Sequence, residues 1–260
     1  MNPFEELQHE VELILQTVAS GSLFGPITTY TPYIILVILV VLTVVFTAKS
    51  RLSLVPRGRY VGTIEFIVEF VQKQIGYNMM GEAAKKHIPF LLTLFIFILF
   101  SNLFGLIPGS KAATGTMGST VALAMIAFCY FTYHGVKKHG GMHYLKSLAP
   151  SGLAGPLALF VWLLEFVSMI LRLLTLSVRL FANMFAGHLL IGVIAVLVTL
   201  FVQPFLQTLS LTALPMSFAG LGWLVLLIVL YTLEIFVACL QAYVFTLLTS
   251  FYIYSAVSEH

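Results

Sequence analysis

Residues 157–202 read LALFVWLLEFVSMILRLLTLSVRLFANMFAGHLLIGVIAVLVTLFV, an apolar run with no proline. As one helix, these roughly 46 residues reach about 69 Å at 1.5 Å per residue. The hydrocarbon core of a bilayer is only about 30 Å thick. The run is therefore either two helices joined by an unmarked turn or one long helix lying steeply tilted. Its glycines, Gly187 and Gly192, are flanked by strong helix formers, which favours the single helix. A break is expected around Pro204 and Pro215, followed by a second long run from Met216 to Val257. Two long, strongly tilted, antiparallel helices over 156–257 are the expectation. Tilt beyond the usual range of about 0–40° needs a packing partner to hold it.

Upstream, residues 29–48, 88–108 and 119–135 are three more apolar segments of spanning length. Residues 4–18 and 60–77 are amphipathic instead. In the second of these, Val61, Ile64, Val68, Val71 and Ile75 share one face, while Glu65, Glu69 and Lys73 form an i,i+4 ladder on another. That segment lies along a membrane surface or packs on a partner and does not span. The N-terminal one is either an interfacial helix or a surface helix. The fold class expected is an all-α integral membrane protein, one polytopic domain over 1–260 with about five membrane-crossing helices and amphipathic interfacial helices.

Composition agrees. Of 260 residues, 60% are hydrophobic and 9% charged, against about 25% charged in a soluble domain. So few charges cannot coat a water-facing surface. The net charge of +3 is too small to recruit nucleic acid. Cys129 and Cys239 lie inside apolar runs and read as reduced core residues. The acidic N-terminus, MNPFEELQHEVELILQ, lacks the features of a signal or transit peptide.

Basic residues set the orientation. The first segment has none before residue 29; residues 49–87 carry Lys49, Arg51, Arg57, Arg59, Lys73, Lys85 and Lys86. Lys111 stands alone in the next loop, and Lys137, Lys138 and Lys146 follow the third apolar segment. This alternation puts 1–27 outside and 49–87 in the cytoplasm. Five crossings then leave the C-terminus inside.

Away from loops and termini, the formal charges are Glu165, Arg172, Arg179 and Glu234, all on the two long helices. A charge at mid-bilayer costs at least about 2.5–3.5 kcal/mol. Glu165, Arg172 and Arg179 are spaced by two turns, with Ser168, Thr175 and Asn183 on the same stripe. Glu234 and Gln241 repeat that spacing on the last helix, and antiparallel packing would bring His188 near Glu234. Glu165 and Arg172 are either a structural ion pair or part of a path. Arg179 is different: its nearest acidic residue in sequence is Glu165, too far along the helix to pair with easily, and a guanidinium cannot escape by losing its proton. Its partner is expected from another chain. Histidine as a residue type titrates near neutral pH, so His188 suits proton transfer with Glu234. His139 and His143 sit in a Gly-rich loop without Cys or carboxylate nearby, so no metal site is expected. The absence of a P-loop, a GxGxxG or a nucleophile–base constellation leaves the chain without means for ATP chemistry, and neither catalytic residues nor a cofactor is expected.

SVRLFANMFAGHLL (177–190), LEIFVACLQAYVFTLLTSFY (233–252) and NLFGLIP (102–108) resemble subunit a of the F-type ATP synthase membrane sector. The resemblance covers most of the chain from about residue 25 and is most specific at the C-terminal end. It implies a non-catalytic stator subunit with two offset proton half-channels, working against a rotating ring of c subunits. Its other implied partners are the peripheral stalk b subunits, the remainder of the ATP synthase and membrane lipid, in a bacterial plasma membrane. By the same resemblance, Arg179 matches the essential arginine facing the ring carboxylates, and Gln241 a polar residue facing it. Asn183 matches a channel asparagine, Glu165 an acidic residue of the cytoplasmic access path, and His188 with Glu234 a pair on the other path. Gly105 stands where some members carry an acidic residue. The competing reading is a stand-alone secondary ion transporter, which would require internal repeats and helices broken at mid-membrane.

Overall fold

The computed structural model describes Glu12 and residues 30–51, 59–107, 110–140, 156–208 and 214–258. Apart from Glu12, the N-terminal segment 1–27 lies outside the described residues. So do 52–58, most of the Gly-rich loop after His139, and the connection 209–213.

Helix α1 is Thr31–Arg51. The hydroxyls of Thr43 and Thr47 donate to the carbonyls of Leu39 and Thr43 at 2.7 Å. No side-chain donor on those two threonines is left facing hydrocarbon. Val37 and Val41 are buried in the core, and Ile35, Leu39 and Phe46 face outward.

Helix α2 is Arg59–Phe70. Residues 59–77 show the expected two faces: Val61, Val71 and Ile75 are buried and Ile64 and Val68 half-buried, while Glu65, Glu69 and Lys73 are exposed, with Lys73 paired to Glu69. The segment is not one regular α-helix. It widens into a π-helical turn, Val71–Tyr77, then a short turn, Asn78–Met80, and a 3-10 turn, Gly81–Lys86. The wider turn brings Val71, Ile75 and Gly76 inward together. Gly81, at φ 56°, reverses the chain where a side chain would be strained. The segment packs on its own chain, and Ser250 donates to the carbonyl of Ile75 at 3.3 Å.

Helix α3, Ile88–Gly105, is the central element: Leu91, Leu94, Phe95, Ile96 and Ile98 are all buried. Proline in its first turn costs no hydrogen bond there. Helix α4, Met117–His139, starts at Thr116, whose side chain accepts the Ser119 N–H at 3.2 Å. It ends at Gly140, at φ 83°.

The long run is one helix. Helix α5 is Pro156–Thr208, 53 residues, and helix α6 is Leu214–Val257, 44 residues. The expected break at Pro204 does not occur. Proline removes one backbone donor, and a helix in a membrane tolerates that when neighbours or local adjustment compensate. Pro215 instead sits in the first turn of α6, where a missing N–H costs nothing. The two helices are antiparallel and in close contact: Gly187 lies against Glu234, and Phe201 and Val202 against Gly220. Keeping the apolar stretch Phe160–Val202, 43 residues, within a ~30 Å core requires an inclination of about 60° from the normal.

Four helices among the described residues are long and apolar enough to cross a membrane: Ile88–Gly105, Met117–His139, Phe160–Val202 and Gly220–Val257. The apolar part of α1, Thr31–Thr47, is shorter. The cysteines depart from expectation. Cys129 and Cys239 are free, and both are exposed on outward faces instead of buried in the core.

Candidate functional site

The antiparallel seam between α5 and α6 places the charged and amide residues. Gly187 meeting Glu234 fixes the register, and Phe201 meeting Gly220 confirms it. Stepping back along α5, Arg179 comes level with about residue 242 of α6, the height of Gln241. Asn183, one turn past Arg179, comes level with about residue 238.

Arg179 is exposed on the outer face of α5. Among the described residues no carboxylate lies within ion-pairing reach of it. Its flanks on that face are Thr175, Ala182 and Ala186, all exposed and all small. A guanidinium therefore stands on a surface open to close approach.

Glu165 and Arg172 form an ion pair, Arg172 Nη2 to Glu165 Oε1 at 3.0 Å. The guanidinium also lies over the Tyr252 ring of α6, 5.5 Å from its centroid. Sequence reasoning missed Tyr252. The two-turn spacing of Glu165 and Arg172 carries the pair, but nothing local points to the aromatic across the seam.

Glu234 is buried, with 7% of its surface exposed. Its carboxylate occupies the space a side chain at 187 would fill: a Cβ added to Gly187 would overlap it. Gly187 was noted in the sequence only as no obstacle to a helix, and the structure makes it the notch that admits the carboxylate. The expected proximity of His188 and Glu234 takes this form. Glu234 touches the residue next to His188, and among the described residues no hydrogen bond joins the two side chains.

Three further side chains on the seam carry buried nitrogens without a hydrogen-bond partner: Asn183 Nδ2, His188 Nε2 and Gln241 Nε2. Gln241 is itself buried, at 5% exposure. Orphaned donors of this kind are uncommon, and each calls for a water, an ion or a partner chain. Ser168 and Thr175 contribute less than their place on the stripe suggested. Thr175 is exposed and donates to its own helix, to Leu171 O at 2.8 Å and Arg172 O at 3.1 Å. Ser168 is half-buried, and no contact ties it to the charged residues.

A second missed group flanks the seam. Asn102 of α3 is fully buried and donates to the backbone carbonyl of Ala238 at 3.3 Å. Its Oδ1 accepts the Thr114 hydroxyl at 2.6 Å. An amide within the apolar α3 was the available signal. Gly105, one turn on, is packed so closely against Ala112 that a Cβ would clash with it. An acidic side chain at that position has no room in this fold.

These features define a class: a polytopic all-α membrane protein with an unpaired cation and a line of unsatisfied amide and imidazole groups along one helix seam. Residues 31–254 match the family described as ATP synthase A chain. An ATP synthase subunit a from Anaeromyxobacter dehalogenans (strain 2CP-C) is 40% identical over 223 residues, covering 84% of this chain and 55% of its own length. The subunit a of Ehrlichia canis (strain Jake) is 39% identical over 83% of this chain and 82% of its own length. That of Ehrlichia chaffeensis (strain ATCC CRL-10679 / Arkansas) is 33% identical over 100% of this chain and 99% of its own length. The chain thus spans just over half the length of the Anaeromyxobacter relative and nearly all of the E. chaffeensis one. It belongs to the ATP synthase A chain family.

Proposed function

We propose that this chain is the non-catalytic stator subunit of an F-type ATP synthase, and that the α5–α6 seam lines two offset proton half-channels facing a rotating ring of c subunits. Proton flow through them drives rotation and ATP synthesis. The observation that carries this reading is Arg179, a permanent cation on an open face with no carboxylate within pairing reach among the described residues. A ring carboxylate supplies the missing charge. When it faces Arg179, attraction favours its ionised form and lowers its pKa, so the proton leaves. The same cation keeps other cations from crossing between the two paths.

The orphaned nitrogens of Asn183, His188 and Gln241 support the rest. Water or a passing proton carrier would satisfy them, and none of the described residues does. Glu234 and His188 serve the outer access path, and Glu165 the cytoplasmic one, with Arg172 holding it in place. Ser168 and Thr175 have the weakest support. In this reading the N-terminus is outside and the C-terminus cytoplasmic, in a bacterial plasma membrane. The peripheral stalk b subunits, the remainder of the synthase and lipid cover the other outward faces. A stand-alone transporter needs helices broken at mid-membrane, whereas α5 and α6 run unbroken over 53 and 44 residues.

The test is ATP-driven proton pumping in inverted vesicles carrying the assembled complex. Arg179→Ala is expected to abolish coupled pumping. Intact pumping in that variant would sink the assignment.

A further inference from the structure

Asn102 belongs to neither half-channel helix, yet it reaches into α6 beside the proposed path. Asn102, Thr114 and Ala238 are all fully buried. The Ala238 carbonyl can only accept, so Nδ2 of Asn102 faces it, 3.3 Å away. Oδ1 is left to accept the Thr114 hydroxyl at 2.6 Å, which holds the amide from its other end. Ala238 lies one turn after Glu234 on α6.

The segment that supplies Thr114 is itself tightly held. Gly115 N–H donates to Ala112 O at 2.9 Å, Ser119 Oγ to Ala113 O at 2.6 Å, and Ser110 Oγ to Ile107 O at 2.8 Å. Leu106 and Ala112 pack with Met184 and Ile191 of α5 and with Ala238 of α6. Met184 and Ile191 bracket Gly187 on one face of α5. The end of α3 and the segment after it therefore touch both walls of the Glu234 notch.

We propose that Asn102, oriented by Thr114, is a positioning residue that fixes the depth and rotation of α6 and so seats the Glu234 carboxylate in the Gly187 notch. The proposal rests on the ion-path reading of Glu234 given above. It assigns Asn102 no contact with the proton, since both ends of its amide are bonded within the protein.

The experiment uses the assembled complex in inverted vesicles, with pumping normalised to the amount of complex and measured across pH. Thr114→Val keeps the shape and removes the orienting hydroxyl. It is expected to slow pumping about tenfold, as the loss of one buried hydrogen bond implies, and to displace the pH of half-maximal pumping. Thr114→Ser is expected to restore both. Asn102→Ala should act in the same direction and more strongly. A wild-type rate and profile in Thr114→Val would overturn the proposal. So would a lower rate with an unmoved pH profile, the mark of packing alone. Glu234→Ala separates the two levels. If it abolishes pumping while Thr114→Val is silent, positioning fails alone; if Glu234→Ala pumps normally, the ion-path reading fails and the positioning role with it.

Discussion

The molecule holds the same side chains in two regions and treats them in opposite ways. In the half built from α3 and α4, Asn102 is bonded to Thr114 and Ala238, and His87 Nδ1 lies 3.0 Å from the Tyr130 hydroxyl. Along the α5–α6 seam, Asn183 and His188 each leave a buried nitrogen unpartnered. The first half does contain unpaired hydroxyls, Ser101 and Thr132. A hydroxyl can rotate toward its own helix backbone, whereas an amide or imidazole on a crowded seam cannot. The contrast teaches that residue type alone does not single out the proposed path; buried amide and imidazole nitrogens left without partners do.

The largest expected effect breaks the seam's one open cation. Arg179→Lys restores a positive charge but one that can be lost by deprotonation. Coupled pumping is expected to fall by at least about a hundredfold, in line with the ~2.5–3.5 kcal/mol at stake for a membrane charge. Gly187→Ala comes next: its Cβ must displace the Glu234 carboxylate, and pumping should drop by about tenfold or more, since misplacing a working group by about 1 Å can cost about a hundredfold. Complex assembly should stay normal, as an immunoblot of the membranes would report.

A pair of leucines sharpens the comparison directly. Asn102→Leu strands the Thr114 hydroxyl and should lower thermal stability of the complex by about 1–3 kcal/mol. Asn183→Leu removes a group already unpaired, so stability should hold or rise while pumping falls. Equal loss of stability in the two would erase the distinction between the halves.

The smallest effect concerns His87, just before α3. Burial chiefly, with His134 and Lys86 adding repulsion, pushes its pKa down from 6.5 to about 4. The folded protein therefore holds it neutral while an unfolded chain would protonate it. Its contribution is present above about pH 6.5 and is lost as pH falls toward about 4. His87→Phe should flatten that part of the thermal-stability profile between pH 7 and 4.

Much of this was legible in the sequence because hydrophobic length and isolated charges are local signals. The proline-free run of 157–202 is a single helix, and the shared face of Val61, Ile64, Val68, Val71 and Ile75 is the one that turns inward, three of the five being buried. Pro204 misled, because a proline's effect depends on what surrounds the freed backbone. Cys129 and Cys239 misled for another reason: in lipid, apolar residues face outward as readily as inward. The Glu165–Arg172 pair could be read from its spacing, yet the contacts of Tyr252 and Gly187 could not, and Asn102 showed only as an amide within an apolar helix. Each acts through a residue distant in sequence, and only the packing of α3, α5 and α6 brings them together.

The antiparallel run of α5 and α6 also has an electrical meaning. Each helix carries roughly half a positive charge at its start and half a negative one at its end. Laid head to tail, the two backbones largely cancel along the seam. One negative end is further neutralised, since Lys138 donates to the carbonyl of Val257 at 2.9 Å. The field at mid-membrane is then left to a few side chains, so the gain or loss of a single proton can reverse the local potential.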